Sequence, residues 1–107
     1  EMERGADGAN TGYAFPDMLV DVVRLSAAGE REAAHDHFDV HLPLLRYEQQ
    51  PGCGLAVRNY ILQLRGLLSS AALRKPGAPL TATARSEVDH LLERLARRDA
   101  RARRVPA

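Results

Sequence analysis

One segment of the chain suits a β-strand, and the remaining sequence offers that strand no partner. Residues 5–12 have the sequence GADGANTG, which is rich in glycine and in short side chains. Such a sequence is typical of a buried strand that neighbouring backbone can approach closely and that runs into a turn. No other segment shows strand periodicity. An unpaired strand leaves its backbone donors and acceptors unsatisfied. We therefore expect the rest of its sheet to lie upstream of Glu1, outside this sequence.

The rest of the sequence favours helices, because Ala, Leu and Arg dominate it. Pro16 suits the first turn of a helix that ends at Gly29. A second helix is predicted over residues 30–48, where Pro43 should kink it or split it in two. A third is predicted over residues 54–64.

A last helix is predicted to begin at a Thr81 or Thr83 cap and to end at about Arg98. The four helices each show an apolar face at helical spacing, which should pack together. The residues predicted to be buried are Met18, Leu19, Val22, Val23, Leu25, Ala33, Ala34, Phe38, Leu42, Leu44, Leu45, Leu55, Val57, Tyr60, Ile61, Leu64, Val88, Leu91, Leu92 and Leu95.

Composition narrows the possible partners. The 107 residues carry 15 basic and 14 acidic side chains, so nothing points to a polyanionic partner for the whole chain. The Arg-rich run at 97–104 has no interleaved aromatics, which favours a solvated tail over a nucleic-acid contact. A single cysteine, Cys53, fits a reducing cytoplasm, and no apolar run is long enough to span a membrane. We predict a cytoplasmic protein without nucleic-acid or membrane partners.

Three histidines lie close together in the predicted second helix. His37 and His41 are four residues apart, so they share a face and could in principle hold one metal ion. No Glu or Cys completes the set at a convincing spacing, and His90 is far along the chain. We interpret His35, His37 and His41 as a solvated or interface face and predict no metal site. A His-rich metal-binding protein remains the alternative, and its zinc or nickel binding should require both His37 and His41.

The candidate nucleophiles are weak, and we predict no catalytic residue in this chain. Cys53 lies between two glycines at a helix start, but the sequence places no histidine beside it. Lys75 is the only lysine, and its loop position next to Arg74 gives it little reason to be buried, as a Schiff-base lysine must be. Tyr13, which follows the Gly-rich turn, stays open as a proton donor.

Taken in order, the motifs resemble a known family. The sequences GADG (5–8), TG (11–12) and FP (15–16), with a helix ending in AG (28–29), look like the last strand and last outer helix of a (β/α)8 barrel. Five later motifs are similar to the C-terminal helical extension of the dihydrodipicolinate synthase / N-acetylneuraminate lyase family. They are LPL (42–44), YEQQPG (47–52), LRG (64–66) and LRKP (73–76) with PLT (79–81). The resemblance covers about residues 5–95.

The resemblance implies a mainly α chain that supplies the last βα unit of a (β/α)8 TIM barrel and its C-terminal helical extension. The implied divisions are residues 1–29 for the last strand and helix, 30–98 for the extension, and 99–107 for a disordered basic tail. Its partners would be the remainder of the barrel and further copies of the subunit, since the family is commonly tetrameric.

The resemblance also implies an activity. Members are class I aldolase-type lyases in which a barrel lysine forms a Schiff base with pyruvate or a related 2-oxo acid, without a cofactor, and a barrel tyrosine relays protons. Both residues come from earlier strands and have no counterpart here. Only Ala9, Asn10 and Thr11 map near the active site, at the C-terminal rim of the barrel. Asn10 stands where a bulkier apolar residue is usual.

A second hypothesis belongs to another class of protein. The chain could be a free-standing helical interaction module that descends from the family and has lost the chemistry. A stable monomer without exposed apolar surface would favour this alternative.

Overall fold

The computed structural model describes residues 1–72 and 79–103, and within these ranges it is helical. Four α-helices form it: α1 (Pro16–Ala27), α2 (Arg31–Glu48), α3 (Gly54–Leu64) and α4 (Ala82–Ala96). Single 3-10 turns lie at Met2–Arg4 and Ala100–Ala102. The described residues contain no β-strand, and residues 6–13 have no regular structure. The prediction of a mainly α chain is confirmed, whereas the strand at residues 5–12 does not form where no partner strand is present.

The helix ends follow local chemistry. Pro16 lies in the first turn of α1, and Gly29 follows its end with a φ of 77°, in the left-handed region that favours glycine. Thr81 is the cap of α4, because its Oγ1 accepts a hydrogen bond from the Ala84 N–H at 3.0 Å. Helix α2 runs through Pro43 and is not split. It packs on α1, α3 and α4 along its length, and these contacts offset the one backbone hydrogen bond that proline removes.

The core is mostly aliphatic, with Tyr13 and Phe15 as its aromatic members, and it also contains polar groups. Its buried members include Phe15, Met18, Leu44, Val57, Ile61, Val88, Leu92 and Leu95. Leu42 and Leu55, both predicted to be buried, are 37% and 55% exposed. The buried stripe of α2 instead includes His41 and Glu48, at 0% and 2% exposure. The prediction failed there because it assigned buried positions to apolar residues only.

Two residues that follow α4 contact the core. Asp99 and Ala102 are buried, and Asp99 Oδ1 accepts the Arg101 N–H at 3.0 Å. The division that assigns residues 99–107 to a disordered tail stays a prediction. Residues 104–107 lie outside the described residues. Among the described residues, no helix combines the length and apolar character needed to cross a membrane.

Candidate functional site

The predicted rim segment lies on the surface. Ala9 and Asn10 are exposed, and Thr11 is half-buried. Thr11 Oγ1 accepts a hydrogen bond from the Tyr13 N–H at 3.0 Å, which fixes the turn that leads into the core. Ala9 lines one end of a cleft of about 800 Å³ between the N-terminal segment, α1 and α2. The role of these three residues at a barrel rim stays a prediction.

Three polar side chains from distant parts of the sequence form a buried hydrogen-bond network. The Tyr13 hydroxyl lies 2.9 Å from Nδ1 of His41, and Nε2 of His41 lies 2.8 Å from Oδ2 of Asp99. All three residues are less than a tenth exposed. Tyr13 precedes α1, His41 lies in the middle of α2, and Asp99 follows α4. These two hydrogen bonds therefore join three separate parts of the fold.

Burial and hydrogen bonding together set the protonation states of these three side chains. Burial raises the pKa of Tyr13 above its usual value, so the phenol stays neutral. Burial alone would raise the pKa of Asp99, but the hydrogen bonds from His41 and the Arg101 backbone, with the Arg101 charge, hold that pKa below its usual value. Burial also lowers the pKa of His41, and Asp99 offsets this only in part. A neutral His41 then donates from Nε2 to the Asp99 carboxylate and accepts the Tyr13 O–H at Nδ1.

His37 lies beside this hydrogen-bond network, one helical turn before His41 in α2. The two rings meet edge to face with centroids 5.6 Å apart. Nε2 of His37 lies 3.2 Å from Oδ2 of Asp21, yet it is buried and makes no hydrogen bond. Arg101 pairs with Asp21 and lies 3.5 Å from Asp99, so it is the cation between two carboxylates.

The histidines that the sequence groups together are divided in space. His37 and His41 contact each other, whereas His35 pairs with Glu3 at 3.0 Å near the N-terminus. Sequence reasoning missed Asp21 and Asp99, because the first lies in another helix and the second in an expected tail. Asp99 is 58 residues from His41, and no pattern in the sequence links them.

Two further charged contacts anchor the segment before α1. The Ala14 N–H donates to Oε2 of Glu48, and Nε of Arg58 donates to Oε1 of the same carboxylate at 3.0 Å. Arg65 binds the Ala14 carbonyl at 2.6 Å and both oxygens of Asp17. Both backbone groups of Ala14 are thus satisfied by charged side chains.

The arrangement of these groups is structural rather than catalytic. Both ring nitrogens of His41 are occupied and the ring has no access to solvent, so it cannot take a proton from a substrate. Cys53 is half-buried, with Sγ 4.0 Å from the Gln50 carbonyl oxygen. Lys75 lies outside the described residues. These buried groups do place several nitrogen and oxygen atoms that could bind a metal ion around His37.

Comparison with known proteins gives two matches, and no protein-family model matches the chain. The chain is 26% identical over 95 residues to the L-2-keto-3-deoxyarabonate dehydratase of Azospirillum brasilense, covering 89% of this chain and 30% of that protein. Its sequence is 72% identical to that of dihydrodipicolinate synthase from Rhodopseudomonas palustris, whose crystal structure is known. That match has a TM-score of 0.85 and covers 87% of this chain and 31% of the other. The chain thus spans about a third of the length of each protein it matches.

Proposed function

We propose, on the premise that this chain corresponds to the helical C-terminal part of dihydrodipicolinate synthase-family proteins, that it closes a barrel and packs subunits in a pyruvate-dependent Schiff-base lyase. The observation that carries the proposal is the 72% identity over 87% of the chain. The proposed substrate is a 2-oxo acid, bound mainly by residues outside this sequence. The proposed location is the cytoplasm.

The segment before α1 supports a role in barrel closure. Within the described ranges, residues 7–12 make no backbone–backbone hydrogen bond, which leaves donors and acceptors available to a neighbouring strand. Helix α1 beside it carries Val20 at 65% exposure, and Leu19 and Val22 line the adjacent cleft. An apolar helix face beside backbone without backbone partners is consistent with a helix that packs against a barrel strand.

Subunit packing is supported by the exposed apolar side chains of the extension. Leu55 at the start of α3 and Leu67 just after it are 55% and 61% exposed. Large apolar groups gain about 25 cal/mol for each Å² removed from water, so a covered position is more favourable for them. We propose that further copies of the subunit cover them.

The test is borohydride trapping with pyruvate after the intact mass of the purified protein has been measured. We expect a reduced pyruvyl group on a lysine of a longer or companion polypeptide, because a Schiff base requires a lysine amine. Lys75→Arg is the matched control, since Lys75 is the only lysine here. The adduct should persist in that variant. If the 107-residue chain is alone, monomeric and unlabelled, the lyase proposal fails and the helical interaction module replaces it.

The rim segment has its own test within the same experiment. If Ala9, Asn10 and Thr11 lie near the Schiff-base lysine, Ala9→Leu should slow adduct formation by crowding the substrate. Ala27→Leu adds the same side chain at an exposed position at the end of α1 and should leave the rate unchanged. Equal rates in the two variants would place the active site elsewhere.

A further inference from the structure

The polar cluster between α1, α2 and the end of α4 has the donors of a metal site. His37, His41 and Asp99 each place one possible ligand atom within 4.8 Å of the others. In a tetrahedral zinc site with bonds of about 2.1 Å, the ligand atoms are separated by about 3.4 Å. Side-chain shifts of roughly 1 Å would therefore bring the three groups onto one ion.

A second observation points to the same place. Nε2 of His37 is buried and makes no hydrogen bond, so its lone pair or N–H has no well-aligned partner. Oδ2 of Asp21 lies 3.2 Å from that nitrogen. A metal ion bound by both atoms would satisfy the nitrogen and supply a fourth ligand.

We propose that His37, His41, Asp21 and Asp99 bind a divalent transition metal ion of the zinc class. Two imidazoles and two carboxylates suit Zn²⁺ and disfavour Mg²⁺, which prefers oxygen ligands in an octahedral arrangement. The site is reached from the surface through His37 and Asp21, whose side chains are 20% and 17% exposed. The proposal does not depend on the lyase function.

Arg101 competes with a metal ion for both carboxylates of this site, and Arg24 also pairs with Oδ1 of Asp21 at 3.1 Å. The Arg101 guanidinium pairs with Asp21 and lies 3.5 Å from Asp99, so one positive charge serves both carboxylates. Its side chain is 40% exposed, so its guanidinium can turn towards solvent when a metal ion binds. Metal binding exchanges one positive group for another and keeps the carboxylates paired.

Tyr13 contacts the ring nitrogen of His41 that faces away from the proposed metal ion. A metal-binding histidine donates its other ring N–H to an oxygen, which fixes the ring and raises its basicity. The Tyr13 oxygen lies 2.9 Å from Nδ1 of His41 and can take that role. The ring changes tautomer when Nε2 exchanges Asp99 for the metal, and the Tyr13–His41 contact is retained.

The test is calorimetric titration of the full 107-residue chain with ZnCl2. We expect one zinc ion per chain and no saturable binding of MgCl2. His37→Gln should weaken zinc binding by about tenfold or more, because it removes a ligand. The controls are His35→Gln and His90→Gln, which remove exposed histidines outside the cluster and should bind zinc as the parent does. The proposal is overturned if the parent shows no saturable binding, or if all three variants lose affinity equally.

Two more variants separate binding from folding. Arg101→Gln removes the competing charge and should tighten zinc binding on the order of tenfold, a gain that a damaged fold cannot give. Asp21→Asn keeps the size of a half-buried side chain and should weaken binding. Circular dichroism of each variant reports whether the helices are intact. Unchanged affinity in both variants, with intact helices, would overturn the proposed ligand set.

Discussion

Asp99 accepts a hydrogen bond from Nε2 of His41 at 2.8 Å, although 58 residues separate the two along the chain. The contact fastens the segment after α4 to the middle of α2. Asp99 is buried at this contact, whereas Arg101 and Arg103 in the same segment are exposed. A buried histidine that lacked this acceptor would keep an unsatisfied ring nitrogen.

Asp99→Ala should therefore lower the free energy of unfolding by about 2 kcal/mol, the cost of leaving a buried donor unpaired. Urea unfolding in a buffer with a metal chelator measures this change separately from any effect of zinc. Asp36→Ala is the matched control, because Asp36 lies on the exposed face of α2. A loss of the same size in both variants would show that the contact with His41 contributes nothing specific.

The helices were predictable because their signals are local. Pro16, Gly29 and Thr81 act on the residues next to them, and the apolar spacing of Val88, Leu92 and Leu95 gives one face of α4 directly. These signals depend on no distant part of the chain. The positions of all four helices were for that reason predicted closely.

The polar cluster was not predictable because its contacts are tertiary. His41 and Glu48 occupy core positions of α2 that hydrophobic patterning assigns to apolar residues. Their partners lie on other elements, and no short motif specifies them. The histidine pair at 37 and 41 could be read from its spacing of four, whereas Asp21 and Asp99 emerge only once the helices are packed.

Arg65 and Asp17 give a second test of a specific geometry. The Arg65 guanidinium binds both oxygens of Asp17, donates to the Ala14 carbonyl and stacks 4.3 Å from the Phe15 ring centre. Arg65→Lys keeps the charge but loses the planar fork, so we expect a loss of about 1–2 kcal/mol in the free energy of unfolding. Arg46→Lys, at an exposed position of α2, is the control for chemical denaturation. Stability unchanged in both variants would mean that charge alone, without geometry, suffices at residue 65.

Glu48 should make stability depend on pH. Burial raises the pKa of its carboxyl above the ordinary value, and the hydrogen bonds from Arg58 and Ala14 offset this only in part. Because the folded pKa is the higher one, the folded state binds the proton more tightly than the unfolded state. The contribution of Glu48 to stability is thus fully present below its unfolded pKa and is lost as pH rises through the folded pKa.

Glu48→Gln removes this dependence. The variant should resemble the parent at about pH 4, where both side chains are neutral, and gain stability relative to it towards about pH 8. Urea unfolding across this range measures the difference, with Glu32→Gln on the exposed side of α2 as the control. A Glu48→Gln variant whose stability falls relative to the parent as pH rises would reverse the sign and show that the Arg58 pair outweighs burial.

Gly54 lies where α3 begins against the end of α2. A Cβ at this position would meet the backbone carbonyl oxygen of Glu48 well inside van der Waals contact, and a backbone atom cannot rotate away as a side chain can. Gly54→Ala should therefore destabilise the fold by about 1–3 kcal/mol, although alanine is the better helix former. Gly8→Ala is the matched control, because a Cβ at Gly8 meets nothing within 4 Å. Thermal unfolding of the two variants measures the contrast. A Gly54→Ala variant as stable as Gly8→Ala would mean that the α2–α3 turn can open without cost, and that the close approach of Gly54 to Glu48 does not set the angle between these helices.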